Sequence, residues 1–128
     1  MSGEYLVDTN IVVAFQAGEG SVVDRFAREM IYVPAIVVGE LFYGACHSTR
    51  QMANLVAVEQ FCVRASVLSC DLDTGRHFGL IKASLRARGR KIPDNDIWIA
   101  ALAKQHDVTL ATRDTHFQNV NDLRVEAW

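Results

Sequence analysis

The stretch Tyr5-Leu6-Val7-Asp8-Thr9-Asn10, followed by the apolar run from Ile11 to Phe15, is the part of the sequence that decides the fold. Residues that favour β-structure run directly into an acid, a hydroxyl and an amide. This order predicts a short buried strand, a polar turn and the start of a helix, with Asn10 as the candidate N-cap. In a parallel sheet, Asp8 would lie at the carboxyl end of its strand, where open α/β sheets place their ligands.

Strands and helices alternate along the rest of the chain. Further short apolar segments predict strands at residues 31–33, 67–70 and 108–111, with an edge strand at 123–125. The alternation predicts an α/β fold with a central, mostly parallel sheet of four to five short strands and helices on both faces. A predicted helix over residues 35–46 is apolar almost all round, which is typical of a buried helix. No repeat or linker divides residues 1–128, so we expect a single domain.

The composition argues against a generally basic nucleic-acid-binding protein, a disulfide-rich protein and a membrane protein. Half of the 128 residues are hydrophobic and the formal net charge is −2, so a polyanion would have to bind a local patch. Cys46, Cys62 and Cys70 are odd in number and lie in apolar company, which favours reduced, buried thiols over disulfides or a zinc site. The sequence has no charged-then-apolar leader and no apolar run of membrane-spanning length. We therefore expect a soluble, cytoplasmic protein without a membrane segment.

Four acidic residues occupy positions where a functional carboxylate is expected, namely strand ends and apolar helix faces. Asp8 and Asp114 follow predicted strands, so their side chains should open onto the same edge of the sheet. Glu40 and Asp96 project from apolar helix faces, with no lysine or arginine within one turn. A distant salt bridge, or the helix N-terminus for Asp96, would account for either acid alone. If all four converge, a divalent cation or shared protons must relieve their repulsion, and oxygen ligands favour Mg²⁺ or Mn²⁺ in phosphodiester cleavage.

Several segments match a known family in its own order. They are Leu6-Val7-Asp8-Thr9-Asn10, residues 33–45, Asn95-Asp96-Ile97-Trp98-Ile99-Ala100-Ala101, residues 110–117 and the terminal Val125-Glu126-Ala127-Trp128. Together they cover the chain from end to end. The sequence resembles a PIN domain and, within that superfamily, the VapC-type toxins of bacterial toxin–antitoxin pairs.

The resemblance implies a magnesium-dependent endoribonuclease, with Mn²⁺ as the alternative ion. It assigns the acidic site to Asp8, Glu40, Asp96 and Asp114, of which Asp8, Asp96 and Asp114 bind the metal. Water is the implied nucleophile, with no covalent enzyme intermediate. Asp94 competes with Asp96, but residues two apart on a helix lie on nearly opposite faces, and the family match selects Asp96. We expect Asp94 to cap the helix.

Residues around the acids receive smaller roles. Asn10 and Thr112 are candidates to orient carboxylates or water, although capping explains both nearly as well. Arg86, Arg88, Arg90 and Lys91, which we call the basic segment, would hold RNA phosphates or simply form a solvated helix end. The four histidines show no metal-ligand spacing and are interpreted as surface or polar-contact residues; they are His47, His77, His106 and His116.

The second and third helices carry more large apolar residues than one small core needs to bury. With the helix that follows, they contribute Val22, Phe26, Ile36, Val37, Leu41, Phe42, Tyr43, Met52, Leu55 and Phe61. Uncovered apolar patches commonly become interfaces, although core packing explains any one of these residues. The family resemblance implies a homodimer and a small VapB-like antitoxin whose tail approaches the acidic pocket, in addition to an RNA substrate.

Other functions remain open from the sequence. A phosphoaspartyl protein also uses an Asp after the first strand of a parallel sheet. A haloacid-dehalogenase-like phosphatase wants a second Asp two residues later, where this chain has Asn10, and a receiver wants a Lys after a late strand, where Thr112 is followed by Arg113. A catalytically silent PIN interaction domain is the non-enzymatic alternative.

Overall fold

The computed structural model describes residues 3–128, which form five strands and six α-helices. A pair of helices follows each of the first three strands. The strands are β1 (Glu4–Val7), β2 (Met30–Pro34), β3 (Ser66–Leu68), β4 (Thr109–Ala111) and β5 (Val125–Glu126). The helices are α1 (Thr9–Gln16), α2 (Gly20–Arg28), α3 (Ala35–Cys46), α4 (Gln51–Arg64), α5 (Leu72–Ala87) and α6 (Asp94–Gln105), and a 3₁₀ turn covers Thr115–Asn119. None of the helices in this part of the chain combines the length and hydrophobicity needed to cross a bilayer.

All five strands are parallel and lie in the order β3-β2-β1-β4-β5. The predicted α/β fold and the edge position of the last strand are confirmed, although that strand begins at Val125 instead of Leu123. The chain first builds the sheet from β1 towards β3, then returns to add β4 on the other side of β1. Because such crossovers are right-handed, this reversal puts helices on both faces of the sheet. It also opens a crevice between the carboxyl ends of β1 and β4, where α/β proteins bind ligands.

Helix α1 begins two residues earlier than the sequence indicates. Asp8 has an extended backbone, and its carboxylate accepts a hydrogen bond from the backbone N–H of Thr9. The prediction that Asn10 is the N-cap is therefore wrong, because Asp8 is the cap and Asn10 lies in the first turn. Asp8 is consequently fixed at the junction of β1 and α1 through backbone contacts as well as through its side chain.

The core is centred on β1, β4 and α6. Leu6 and Val7 of β1 pair with Leu110 and Ala111 of β4, and all four side chains are buried. Helix α6 is buried from Ile99 through Ala103, which is unusual for a helix in so small a domain. This packing fixes the start of α6, and with it Asp96, relative to the two strands.

Two burial predictions are wrong. Helix α3 was expected to be buried on most sides, but only Val37, Leu41 and Ala45 are buried, because its outer face has no neighbour within the described chain. Cys46 and Cys70 are exposed, and Cys62 is only half-buried. All three cysteines are free thiols, as expected.

Candidate functional site

Asp8 is held by a dense set of hydrogen bonds at the end of β1. Its Oδ1 accepts from the Thr9 backbone N–H at 2.8 Å. Its Oδ2 accepts from the Thr112 hydroxyl at 2.7 Å and from the Asn10 side-chain amide at 3.3 Å. The side chain is buried, so these donors fix the direction of the carboxylate and stabilise its charge.

Thr112 joins the ends of β1 and β4. Its hydroxyl donates to Asp8 and accepts from the backbone N–H of Asp114 at 3.0 Å. Asn10 is oriented in a similar way, because its side-chain oxygen accepts from the backbone N–H of Arg113 at 3.2 Å. Both side chains predicted to orient carboxylates therefore contact Asp8, and their effect on catalysis stays a prediction.

Glu40 reaches the same edge of the sheet from α3. Its Oε1 accepts a hydrogen bond from the Thr9 hydroxyl at 2.9 Å. The helix begins directly after β2, the strand next to β1, so Glu40 lies in the second turn above the carboxyl ends of both strands. Thr9 was not singled out from the sequence, yet it connects Glu40 to the Asp8 turn.

The environment of Asp96 includes the other three acids of the site. It lies in the first turn of α6, and its side chain is only 15% exposed. Burial raises the pKa of its carboxyl to about 6, with further upward contributions from the charges of Asp8, Asp114 and Glu40. Within residues 3–128, no lysine or arginine forms an ion pair with any of the four carboxylates.

Asp94 has a different environment from Asp96. Its side chain is 59% exposed and lies 3.0 Å from the ammonium group of Lys82. The helix is preceded by Pro93 in the cap position, so Asp94 is the first helical residue and the expectation that it caps the helix is wrong. The structure thus separates the two acids as the helical spacing predicts.

His116, which the sequence analysis interprets as a surface or polar-contact residue, is exposed and lies beside two of the four acids. Its Nδ1 lies 3.2 Å from Asp114 Oδ1 and 3.8 Å from Asp96 Oδ2. The spacing Asp114-x-His116 was available as a signal, because a carboxylate that caps a tight turn lies beside the side chain two residues later. Without the three-dimensional position of Asp96, however, one Asp–His pair is a weak indication.

The basic segment leads directly into the acidic site. All four of its side chains are exposed, and none pairs with a carboxylate among residues 3–128. Arg88 donates to the backbone carbonyl of Asn119 at 2.6 Å. This contact ties the loop before α6 to the end of the 3₁₀ turn after Asp114, so the segment contacts the element that follows one acid of the site and leads into the helix that carries another.

The chemistry of the donor set fits a hard divalent cation. Four carboxylates share one edge of the sheet, burial and the charges of the other three acids raise the pKa of Asp96, and no lysine or arginine of residues 3–128 forms an ion pair with any of the four. Asp96 and Asp114 offer oxygen ligands on separate elements, and Asp8 contributes a third carboxylate at the switch between β1 and β4. Few ligands of this kind, with room for water, are what Mg²⁺ uses in proteins.

The comparison with protein families agrees with this geometry. The PIN domain family matches residues 5–123. The chain is a PIN domain protein. This PIN domain is 35% identical to "Ribonuclease VapC2" of Haemophilus influenzae over 98% of each chain. It is 32% identical to "tRNA(fMet)-specific endonuclease VapC" of Shigella flexneri, again over 98% of each.

Solved structures support the same placement. The DNA-bound VapBC of Salmonella typhimurium matches this PIN domain with a TM-score of 0.89 and 28% identity, covering 100% of this chain and 99% of that chain. The resemblance to the VapC group is therefore confirmed, and the chain belongs to the VapC family of PIN domains. Membership in that family favours a metal site over the phosphoaspartyl alternatives.

Proposed function

We propose that this chain is a magnesium-dependent endoribonuclease and the toxin of a VapBC-type toxin–antitoxin pair, acting in the cytoplasm, with residues 1–128 forming one PIN domain. The observation that supports the proposal most strongly is that Asp8, Glu40 and Asp114 lie close enough to Asp96 for their charges to add to the effect of burial. Together these effects raise the pKa of Asp96 to about 6. The names of its VapC relatives support RNA as the substrate.

Each acid has a role that follows from its contacts. Asp8, Asp96 and Asp114 are the proposed metal ligands, and Mn²⁺ is the alternative ion. A bound divalent ion lowers the pKa of water and stabilises charge on the phosphate in hydrolysis. Thr112 and Asn10 hold Asp8 in one direction, while Thr9 orients Glu40, which is thereby positioned to accept a hydrogen bond from water.

The basic segment supplies the proposed contact with the RNA backbone. The acidic pocket by itself repels a polyanion, so productive binding needs cations at its margin. Arg86, Arg90 and Lys91 are exposed without a carboxylate partner in the described chain, and Arg88 attaches the loop to Asn119, the last residue of the 3₁₀ turn that Asp114 caps. Phosphate contacts of this kind increase affinity without reading sequence.

A groove on the other side of α1 suits the proposed antitoxin. It has a volume of about 940 Å³ and lies between α1, α2, α4 and β2, with Phe15, Val23, Phe26, Phe61 and Val63 among its lining. Helix α1 begins at the acidic site, so a segment bound in the groove can continue towards the carboxylates. A basic side chain arriving there would pair with them and displace the metal.

Not all of the predicted interface residues are available for a partner. Val22, Val37 and Leu41 are buried in the core, so the interface interpretation is wrong for these three. Tyr43 and Met52 are exposed on α3 and α4 and support the proposed homodimer. Light scattering of the purified chain tests this part, and a monomer at high concentration would contradict it.

The ribonuclease proposal is tested by removing single charges. Asp8→Asn and Asp96→Asn should each abolish Mg²⁺-dependent RNA cleavage, whereas Asp94→Asn, which changes an exposed acid of the same helix, should keep it. Full activity in either of the first two variants would refute the assignments. A wild-type chain that binds Mg²⁺ but cleaves no RNA would indicate the silent interaction domain.

The antitoxin proposal is tested with two exposed apolar residues. Val63 lines the groove and is 84% exposed, while Leu72 lies outside it and is 74% exposed. Val63→Glu should weaken binding of the product of the neighbouring gene, and Leu72→Glu should not, as measured by calorimetry. Equal affinities for the two variants, or undiminished RNA cleavage in the saturated complex, would count against the groove and against inhibition respectively.

A further inference from the structure

The imidazole of His116 completes a three-residue cluster with two of the proposed metal ligands. Asp96, Asp114 and His116 each offer one ligand atom, and these atoms all lie within 4.8 Å of one another. The His116 side chain is 53% exposed, so it has room to turn towards a bound ion. The cluster is built from two separate elements, because Asp96 belongs to α6 and the other two residues to the turn after β4.

Local structure holds the turn in place independently of the imidazole. Asp114 Oδ1 accepts the backbone N–H of His116 at 2.9 Å and so caps the 3₁₀ turn. The next residue, Phe117, is completely buried and anchors the turn in the core. Replacing the His116 side chain therefore leaves the position of Asp114 intact.

Imidazole changes which ions this side of the site prefers. Mg²⁺ is a hard cation that takes oxygen ligands, whereas a neutral imidazole nitrogen is a better ligand for transition-metal ions. The contacts of Asp8 are hydrogen-bond donors, namely the Thr9 backbone N–H, the Asn10 side-chain amide and the Thr112 hydroxyl, and none of them is an imidazole. The Asp96–Asp114–His116 cluster is the nitrogen-containing part of the site.

We propose that His116 is a metal ligand and that, together with Asp96 and Asp114, it makes this site bind a transition-metal dication such as Co²⁺ or Mn²⁺ more tightly than Mg²⁺. The inference rests on the proposed function for the two carboxylates and adds the imidazole and the ion preference. If His116 only formed an ion pair with Asp114, removing its imidazole would leave the preference between these ions unchanged.

The experiment compares Co²⁺ and Mg²⁺ binding in the full chain after removal of any affinity tag. Co²⁺ is followed by its visible absorption, which changes when a nitrogen ligand is replaced by oxygen, and Mg²⁺ by competition against Co²⁺ in the same buffer. His116→Gln keeps a polar side chain of similar length and removes the imidazole. His106→Gln is the matched control, because His106 is also exposed but lies at the opposite end of α6.

In His116→Gln, Co²⁺ affinity should fall by about tenfold or more, with a changed absorption band and unchanged Mg²⁺ affinity. Equal Co²⁺ affinity in the two variants would overturn the inference, as would parallel losses of Co²⁺ and Mg²⁺ in His116→Gln. Either result leaves the ribonuclease proposal standing as long as the wild type binds Mg²⁺ and cleaves RNA. A wild type that binds neither ion would overturn both.

Discussion

Asp96→Asn should stabilise the metal-free protein while removing its proposed activity. Burial, and then the charges of Asp8, Asp114 and Glu40, raise the pKa of the half-buried Asp96 carboxyl from 3.8 to about 6. An amide of the same size keeps the packing and carries no charge. The side chain is only 15% exposed, so solvent screens little of this repulsion.

The size and sign of the effect follow from the pKa. A shift of roughly 2 units corresponds to about 3 kcal/mol, because one unit is about 1.4 kcal/mol. The folded state holds the Asp96 proton more tightly than the unfolded state, so the contribution of Asp96 to wild-type stability is fully present below about pH 4 and is lost as the pH rises through 6. The gain of Asp96→Asn over wild type should therefore be complete above about pH 7 and absent near pH 4.

Thermal unfolding in EDTA across this pH range measures the gain. For a chain of this length, about 3 kcal/mol corresponds to roughly 10 °C in Tm. Mg²⁺ at about 1,000 times its Kd should reverse the order, because it returns about 4.1 kcal/mol to the wild type, which exceeds the gain of the variant. Asp94→Asn is the control, since that acid is exposed beside Lys82. An Asp96→Asn variant no more stable than this control at pH 7 would refute the reasoning.

Three further changes test other parts of the structure. Alanine at all four positions of the basic segment should reduce the magnitude of the slope of log RNA affinity against log salt concentration by up to about 3. An unchanged slope would mean that the segment is an ordinary solvated helix end. Thr112→Val removes the donor to Asp8 and should weaken Mg²⁺ binding about tenfold or more in a calorimetric titration; unaltered affinity would show that Asp8 needs no such support. Phe117→Ala should cost about 3–5 kcal/mol in urea unfolding, and a loss near zero would mean that the turn after β4 is not anchored by this ring.

The alternation of strands and helices was predictable because hydrophobic period and length carry that information locally. The position of Asp96 was predictable for the same reason, since helical spacing separates it from Asp94. Helix α3 is a case in which the local sequence pattern does not predict burial. Its uniform apolarity predicts burial, but a sequence does not distinguish residues covered by its own core from residues left for a partner.

His116 and Thr9 were missed for a different reason. Each contacts a residue brought close by the fold: His116 meets Asp96, twenty positions earlier in the chain, and Thr9 meets Glu40 on another helix. No periodicity encodes such a pair. The Asn10 cap was misplaced because Asp8, Thr9 and Asn10 are all good capping residues, and the choice among them depends on where β1 stops pairing.

The pairing of β1 with β4 also determines when the acidic site can form while the chain is being synthesised. Leu6 lies opposite Leu110, and the hydrogen bond between Thr112 and Asp8 joins residues 104 positions apart. A chain still lacking β4 has its first strand and Asp8 but neither the neighbouring strand nor the hydroxyl that orients the carboxylate. Contacts of such long range form late, after the local helices. The topology therefore delays completion of the acidic site until β4 and Thr112 have been synthesised and have paired with β1.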